Sequence, residues 1–318
     1  MKFLLFVLPA AFAFLSGFYD TDGDGLDDAL EQTMINTFLP IIKLHELESF
    51  YPADIETVLN NTNLMFYHEN VKVNCLVSES VNTATLLSFD HQEILQCTDH
   101  LCMHYGDIIT PLSPNTTKFN LEIKSSEMYY GDKASLNNTP VYAHVHPTTN
   151  SQYPNTITVQ YWFLYYFNGP QFKCLGAHEG DFEHVSLIIN ATTQQIMHGY
   201  FSAHSHEALW INVDQMIVIG THPVVYSALN SHASYPTPGI KTRKTTYGII
   251  DDYCSNRGDT WVPSEGVNMG EKNIPMLGWI QFSGTIGSLN GVKAPNCAVF
   301  DGSPPHFPPM QEDYWFIN

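Results

Sequence analysis

The sequence predicts a mainly β protein with a few helices, arranged as one β-sandwich-like domain behind a short N-terminal unit. Residues 157–167 are apolar on both faces, as a strand buried in the middle of a sheet requires. Shorter runs rich in β-forming residues follow between turn signals at 185–189, 216–219 and 224–226. Aromatic residues make up 13% of the chain, which suits a sandwich whose inner faces are packed with rings.

A helix is predicted over residues 26–39. Its apolar residues recur at four-residue spacing and therefore share one face: Leu26, Leu30, Met34 and Phe38. Pro40 cannot continue the helix and ends it.

Residues 20–31 carry the sharpest chemical signal, because D-T-D-G-D-G-L-D-D-A-L-E has the spacing of a twelve-residue calcium loop. Gly25 stands at position six, where the loop turns sharply. The spacing assigns as calcium ligands the side chains of Asp20, Asp22, Asp24, Asp28 and Glu31 and the carbonyl of Leu26. The alternative is a solvated acidic turn that caps the helix.

Residues 1–17 predict a secretory signal peptide. Lys2 is followed by an apolar segment over 3–15 and by small residues before residue 18. Later in the sequence, no apolar run approaches the length of a membrane span. We therefore expect an exported protein, either extracellular or in the lumen of a vacuole or secretory granule.

The cysteines and sequons agree with export. An even number of cysteines predicts up to three disulfides in an oxidising compartment, with the pairing left open: Cys75, Cys97, Cys102, Cys174, Cys254 and Cys297. Asn-x-Ser/Thr sequons predict glycosylation at Asn60, Asn115, Asn137 and Asn190.

The formal net charge of -19 argues against a nucleic-acid partner and against simple electrostatic docking on anionic lipid. It agrees with binding of a divalent cation. The partner class stays open among glycan, lipid and protein.

A second chemical signal lies at G-A-H-E-G-D-F-E-H-V, residues 176–185. In a strand, Asp181 and Glu183 share a face with the apolar residues that follow, so two carboxylates stand at the end of a core-facing row. Burying them is costly unless a metal or another cation neutralises them. The predicted ligands of a second divalent metal of unspecified identity are His178, Asp181, Glu183 and His204. The alternative is a polar network that satisfies the buried strand ends.

Tyr142, His144 and His146 alternate with the apolar Val141, Ala143 and Val145. We expect the two histidines to lie on the exposed face of a strand. His222 and His232 follow at the ends of later segments.

Several ordered blocks resemble the vacuolar protein sorting-associated 62 family and its plant relatives. The similar blocks are residues 37–54, 141–147, 159–170, 178–185, 200–205 with Trp210, and 222–236. We therefore divide the sequence into the signal peptide (1–17), a unit over 18–40 similar to EF-hand and thrombospondin type 3 calcium loops, and a β-rich domain over 41–318 that carries the family resemblance. The calcium loop lies outside the resemblance.

A fainter resemblance is to the secreted necrosis-inducing cytolysins, which carry G-H-R-H-D-W-E before a strand and Ser-Ala-His-Ser later. Here Asp181-Phe-Glu183 is similar to D-W-E, His178 to the first histidine, and residues 202–205 to the later segment. In the toxins this motif implies a divalent metal in a β-sandwich. Glu179 and Gly180 stand in place of the Arg-His pair.

Three functions follow as hypotheses. The leading one is a secreted or luminal, disulfide-bonded metal-binding protein with a binding or assembly role. The second is a cytolysin-like protein that acts on membranes. The third is a metal-dependent hydrolase, in which Asp181 or Glu183 activates a metal-bound water with His178 or His204 as acid or base. The sequence has no nucleophile or zinc-protease motif, which ranks the enzyme last.

Overall fold

A computed structural model gives the arrangement of the chain. It describes residues 18–68, 73–87, 119–148, 150–170, 176–204, 209–245, 248–270, 278–280, 282, 284–288 and 304–308. The predicted signal peptide lies outside these residues.

Short helices and strands alternate in the N-terminal part of the chain, and strands dominate after it. Up to residue 123 the described elements are α1 (Asp28–Thr37), β1 (Ile41–Lys43), α2 (Ile55–Asn60), β2 (Thr62–His68), β3 (Val73–Ser78), α3 (Thr83–Leu87) and β4 (Phe119–Ile123). Two 3₁₀ helices follow, Ser126–Tyr130 and Lys133–Asn138. The next strands are β5 (Val141–Pro147), β6 (Thr156–Asn168), β7 (His178–Asn190), β8 (Ile196–Phe201), β9 (Leu209–Asn212), β10 (Val218–Ile219) and β11 (His222–Ser227). The last are β12 (Ser234–Tyr235), β13 (Gly239–Thr245), β14 (Gly248–Cys254), β15 (Thr260–Trp261), β16 (Gly266–Asn268) and β17 (Thr285–Ile286).

A six-stranded sheet forms the middle of the molecule, in the order β16-β5-β6-β7-β8-β9. Neighbouring strands from β5 to β9 pair antiparallel, and β16 pairs with β5 in parallel. All of β6 except Asn168 is buried, as its run of apolar residues on both faces predicts.

Separate layers cover the two faces of this sheet. On one face, Tyr161 and Phe163 pack with residues of α1, β1 and β15. On the other face, Trp162 and Leu164 pack with a four-stranded sheet in the order β17-β4-β2-β3. The prediction of a mainly β fold with a few helices is confirmed. Strand β6 is apolar on both faces because each face of the sheet is covered by another layer.

The remaining strands bring polar residues to the end of the central sheet. A mixed sheet runs β10-β11-β1-β15, with β12 paired to β11. Strands β13 and β14 form a two-stranded hairpin. The turn between β11 and β12 reaches the N-terminal part of β7, and strand β14 reaches His204 after β8; the candidate site lies between them.

Helix α1 forms within the predicted range. Asp27 caps its start by accepting a hydrogen bond from the amide of Ala29, and the helix ends before Leu39. Its face with Met34 and Ile35 is buried, and the hydroxyl of Tyr161 donates to the carbonyl of Ile35 at 2.8 Å. The helix is therefore attached to the middle of the central sheet.

The expectation that His144 and His146 are exposed is wrong, because each is only 4% exposed. Alternation along a strand indicates a solvent-facing row only where one face of the sheet is open, and here both faces are covered. His144 approaches Gln160 of β6, with Nδ1 and Oε1 3.3 Å apart. Burial lowers the pKa of His146.

Candidate functional site

The acidic loop, residues 20–31, folds around its first carboxylates. Oxygens of Asp20, Asp22 and Asp24 lie within 4.8 Å of one another. Asp20 accepts hydrogen bonds from the amides of Gly23, Asp24 and Gly25 at 2.7, 3.1 and 3.0 Å. Gly25 has φ of +97°, a conformation that a side chain would strain. The loop thus gathers three of the predicted calcium ligands.

The later predicted ligands of the loop are bonded differently. Asp28 accepts from the amide and the hydroxyl of Thr21 at 2.9 and 2.7 Å. Glu31, 1% exposed, accepts from Nδ2 of Asn268 at 2.8 Å. A Cβ added to Gly270 would lie 2.6 Å from Oδ2 of Asp22. The acidic loop is therefore packed against the end of β16 as well as leading into α1.

The four predicted ligands of the central metal do not converge as one set. Among the described residues, the three acidic-loop aspartates are the only group of three or more candidate ligands whose atoms all lie within 4.8 Å of one another. The ring nitrogens of His178 contact other groups: Nδ1 lies 2.6 Å from the carbonyl of Gly180, and Nε2 lies 3.0 Å from Nδ2 of Asn168. Nε2 of His204 lies 2.7 Å from Oδ2 of Asp252.

Asp181 instead meets a histidine outside the predicted set. Nδ1 of His232 lies 2.8 Å from Oδ2 of Asp181, and Nε2 of His232 lies 3.8 Å from Oε1 of Glu48. The His232 ring stacks on Tyr165 with centroids 3.8 Å apart and planes 3° from parallel. His232, Asp181 and Glu48 are all buried. We call these three residues, with Glu183 and Asp252, the buried centre.

Charge compensation holds the buried centre together. Burial by itself would lower the pKa of His232, but its hydrogen bond with Asp181 and the nearby carboxylate of Glu48 outweigh burial and raise that pKa to about 9. Burial would raise the pKa of Glu48, yet its contact with His232 and its bonds from the amides of Phe50 and Asn230 lower it. An imidazolium thus supplies the positive charge that these carboxylates need.

The outer carboxylates of the buried centre bind hydroxyl groups. Ser202 donates to Oε2 of Glu183 at 2.5 Å. Burial and the nearby Asp181 raise the pKa of Glu183 well above its usual range. Asp252 accepts from the hydroxyls of Ser231 and Tyr235 at 3.0 and 2.7 Å, beside its contact with His204. Hydrogen bonds thus link these outer carboxylates to serine, tyrosine and histidine side chains in a polar network.

Backbone strain accompanies this network. His204, Asn230 and His232 have φ of 47°, 65° and 54°, in the left-handed region that costs a residue with a side chain about 1 kcal/mol. The amide of Asn230 donates to Oε2 of Glu48 at 2.8 Å, and its side chain donates to the carbonyl of Pro170 at 3.1 Å. These bonds keep the turn that carries His232 in place.

The start of β7 explains one departure from the toxin motif. Gly180 has φ of +65°, and a Cβ there would lie 2.3 Å from the carbonyl oxygen of Ile286. A histidine at this position would be strained and would collide with the backbone of β17.

Sequence reasoning missed Glu48, His232 and Asp252 as parts of one site. The family resemblance could have marked Glu48 and His232 as candidates, because they lie in two of its blocks, 37–54 and 222–236. Nothing in the sequence alone shows that these blocks meet in space. Asp252 follows another aspartate on a short strand and has no motif around it.

The predicted covalent sites are partly described. Cys75 is disulfide-bonded, whereas Cys254 is a buried free thiol with Sγ 3.8 Å from the carbonyl of Tyr226. The expectation that Cys254 forms a disulfide is therefore wrong: its thiol is enclosed beside β11.

The sequon residues Asn60 and Asn137 are exposed and Asn190 is half-buried. The remaining predicted positions lie outside the described residues: Cys97, Cys102, Cys174, Cys297 and Asn115.

Solved structures similar to this chain include proteins of the class to which the fainter resemblance pointed. NLPPya in complex with mannosamine matches over 83% of this chain and 84% of that chain, with a TM-score of 0.39 and 11% identity. The necrosis and ethylene inducing protein 2 from the causal agent of cocoa's Witches Broom disease matches over 84% and 87%, with a TM-score of 0.37 and 12% identity. Non-toxic HaNLP3 matches over 78% and 79%, also with a TM-score of 0.37 and 12% identity. No residue role follows from similarity at this level.

No curated protein sequence is significantly similar to this chain. In the described part of the chain, no helix combines the length and apolarity needed to cross a bilayer. Residues 115–265 match the family model described as vacuolar protein sorting-associated protein 62, which confirms over that range the family resemblance of the sequence.

Proposed function

We propose that this chain is an exported, disulfide-bonded, calcium-binding β protein with a binding or assembly role. The observation that carries the proposal is the convergence of carboxylate oxygens from Asp20, Asp22 and Asp24 within 4.8 Å of one another. Clustered carboxylates are the ligands that calcium prefers, and their mutual repulsion is relieved when a cation binds.

The residues present fit a calcium ion in part. Three carboxylates converge, and Gly25 has the conformation that the loop spacing requires. Asp28 and Glu31 are the later ligands that the spacing assigns, and both take hydrogen bonds from other groups, Thr21 and Asn268. We assign Asp20, Asp22 and Asp24 as the principal ligands.

The position of the acidic loop supports a structural role for the ion. The loop lies between the start of α1 and the segment from Asn268 to Gly270, which continues β16 of the central sheet. Calcium supplies positive charge at this junction. The loop then acts as a clip that holds α1 and the N-terminal segment on the β-rich body.

The contacts of the buried centre are those of a structural network, and they weigh against the hydrolase hypothesis. The hydrolase hypothesis requires His178 or His204 to act with Asp181 or Glu183. Within the described residues, neither histidine makes a hydrogen bond to either carboxylate; each is bonded elsewhere. His232 is fixed between two carboxylates and stacked on Tyr165, an arrangement typical of structural charge compensation.

Calcium-dependent thermal unfolding tests the proposal. The purified chain from residue 18 onwards should melt at a higher temperature in millimolar calcium than in a chelator, by an amount that grows with calcium concentration. Asp20→Asn/Asp24→Asn should lose this response. Asp214→Asn, which removes an exposed carboxylate elsewhere, should keep it. A wild-type melting temperature that is independent of calcium would overturn the proposal.

A further inference from the structure

A second polar feature lies beside the start of β7, apart from the buried centre. Residues from β4, the 3₁₀ helix Ser126–Tyr130, the start of β7 and the segment after β17 line a partly open cavity of about 330 Å³. Its polar lining includes Glu122, Ser125, Ser126, Tyr129, Glu179 and Ser288. The volume is sufficient for a small organic molecule.

Glu179 is the most constrained group in this cavity. It is 4% exposed, and Oε1 accepts from the hydroxyl of Tyr129 at 2.7 Å. Oε2 accepts from the amides of Ile123 and Ser288 at 3.2 and 3.1 Å. Three donors around one carboxyl group are the environment of an ionised carboxylate.

Close packing surrounds both Glu179 and its hydrogen-bond partner Tyr129. A Cβ on Gly287 would lie 2.4 Å from the carbonyl oxygen of Glu179. The ring of Tyr129 stacks on Phe167, with centroids 4.3 Å apart and planes 6° from parallel. Burial and the adjacent Glu179 raise the pKa of Tyr129, so its hydroxyl remains a donor. The cavity is therefore preorganised around Glu179.

The charge of the cavity differs from that of the buried centre. Asp181, two residues along β7, pairs with His232. Glu179 forms no ion pair with a Lys, Arg or His in the part of the chain that is described. Lys124 also lines the cavity, but its ammonium group donates to the carbonyl of Asn60 at 2.9 Å. Glu122 adds a second carboxylate to the lining, so the cavity has an excess of negative charge.

We propose that this cavity is a binding site for small hydroxyl-bearing primary amines, with the ligand's ammonium group next to Glu179 and Glu122. An ammonium group offers several N–H donors to carboxylate oxygens and supplies the missing positive charge. The hydroxyl groups of Ser125, Ser126 and Tyr129 provide partners for ligand hydroxyls. This inference goes beyond the proposed calcium role and does not depend on it.

Burial and the neighbouring Glu122 raise the pKa of Glu179 to about 7, against the opposing effect of its hydrogen bonds, so serinol binding is measured at pH 8.

Calorimetric titration with serinol (2-amino-1,3-propanediol) and glycerol tests the proposal, because the two differ by one ammonium group in place of one hydroxyl. In buffer with calcium at pH 8, we expect serinol to bind about tenfold more tightly than glycerol, the difference expected for a charge-assisted contact. Equal affinity for the two compounds, or no detectable binding of serinol, would overturn the proposal.

Variants locate the site. Glu179→Gln keeps the shape of the side chain and should reduce serinol affinity about tenfold, while Glu122→Gln should cause a smaller reduction. Asp214→Asn, far from the cavity in sequence, should have no effect. Should Glu179→Gln fail to fold, Glu122→Gln supplies the test, because it removes the second carboxylate of the lining and should still weaken serinol binding. Unchanged serinol affinity in folded Glu179→Gln, or in Glu122→Gln where Glu179→Gln does not fold, would contradict the proposal.

Discussion

The acidic loop and the buried centre both concentrate carboxylates, yet they are neutralised in different ways. In the acidic loop, Asp20, Asp22 and Asp24 are partly exposed and have backbone amides as donors. In the buried centre, Asp181 and Glu48 are nearly inaccessible and share the imidazole of His232. A partly exposed cluster can take its cation from solvent, whereas a buried cluster needs a charge that folds with the chain.

This difference has a physical cause in desolvation. Removing an unpaired charge from water costs several kcal/mol, so a buried carboxylate without a built-in partner becomes protonated or destabilises the fold. A carboxylate at the surface keeps much of its hydration and retains the freedom to exchange a metal. We therefore expect calcium to act on the acidic loop and pH to act on the buried centre.

Removing the internal cation should have the largest effect. In His232→Gln, Asp181 and Glu48 lose their shared positive charge, and we expect the free energy of unfolding to fall by about 3–5 kcal/mol. Urea unfolding at pH 6.5 measures this change. His222→Gln is the matched control, since His222 is half-buried and has Nδ1 2.8 Å from a backbone carbonyl, that of Leu39. Equal losses in the two variants would show that His232 has no special charge role.

The pH dependence of stability should be the next largest effect. The pKa of His232 is raised from 6.5 to about 9 on folding, so its contribution is complete below pH 6.5 and is lost as pH rises through about 9. A pKa shift of this size corresponds to a contribution of roughly 3 kcal/mol to the free energy of unfolding. Glu183, whose pKa is also raised, contributes a loss in the same direction as pH rises.

Comparison with His232→Gln separates these contributions. Urea unfolding of both proteins from pH 6 to 9.5 should show a steeper loss for wild type, with the two stabilities approaching each other near the upper limit. Parallel curves would mean that His232 binds its proton no more tightly in the folded state than in the unfolded state.

A smaller effect is expected at the junction between the acidic loop and the body. In Gly270→Ala, the new methyl group would lie 2.6 Å from Oδ2 of Asp22 and would displace that carboxylate. Calcium affinity should fall by roughly fivefold, or about 1 kcal/mol. A double-mutant cycle with Asp22→Asn tests whether Gly270→Ala acts by displacing Asp22. If it does, the losses of calcium affinity in the two single variants should not add in the double variant.

The sequence was a good guide where one local pattern decides the structure. The buried strand around residues 157–167, helix α1 and the gathering of Asp20, Asp22 and Asp24 all follow from periodicity or spacing within a short segment. It was a poor guide where distant segments meet. The exposure of His144 and His146 depends on what covers β5, and the partner of Asp181 comes from a turn 51 residues away. A pair of buried carboxylates indicated that a cation was needed, but it could not indicate that His232 would be that cation.

The calcium content of matched variants tests most directly whether the two carboxylate clusters are neutralised differently. Purified protein is brought to equilibrium by dialysis against buffer with calcium at pH 7, and bound calcium is obtained by elemental analysis as the difference between the two sides of the membrane for wild type, Asp20→Asn/Asp24→Asn and Asp181→Asn/Glu183→Gln. The acidic-loop variant should hold one calcium fewer than wild type, whereas the buried-centre variant should hold the same amount and be less stable. Loss of metal from the buried-centre variant, with full retention in the acidic-loop variant, would contradict this account.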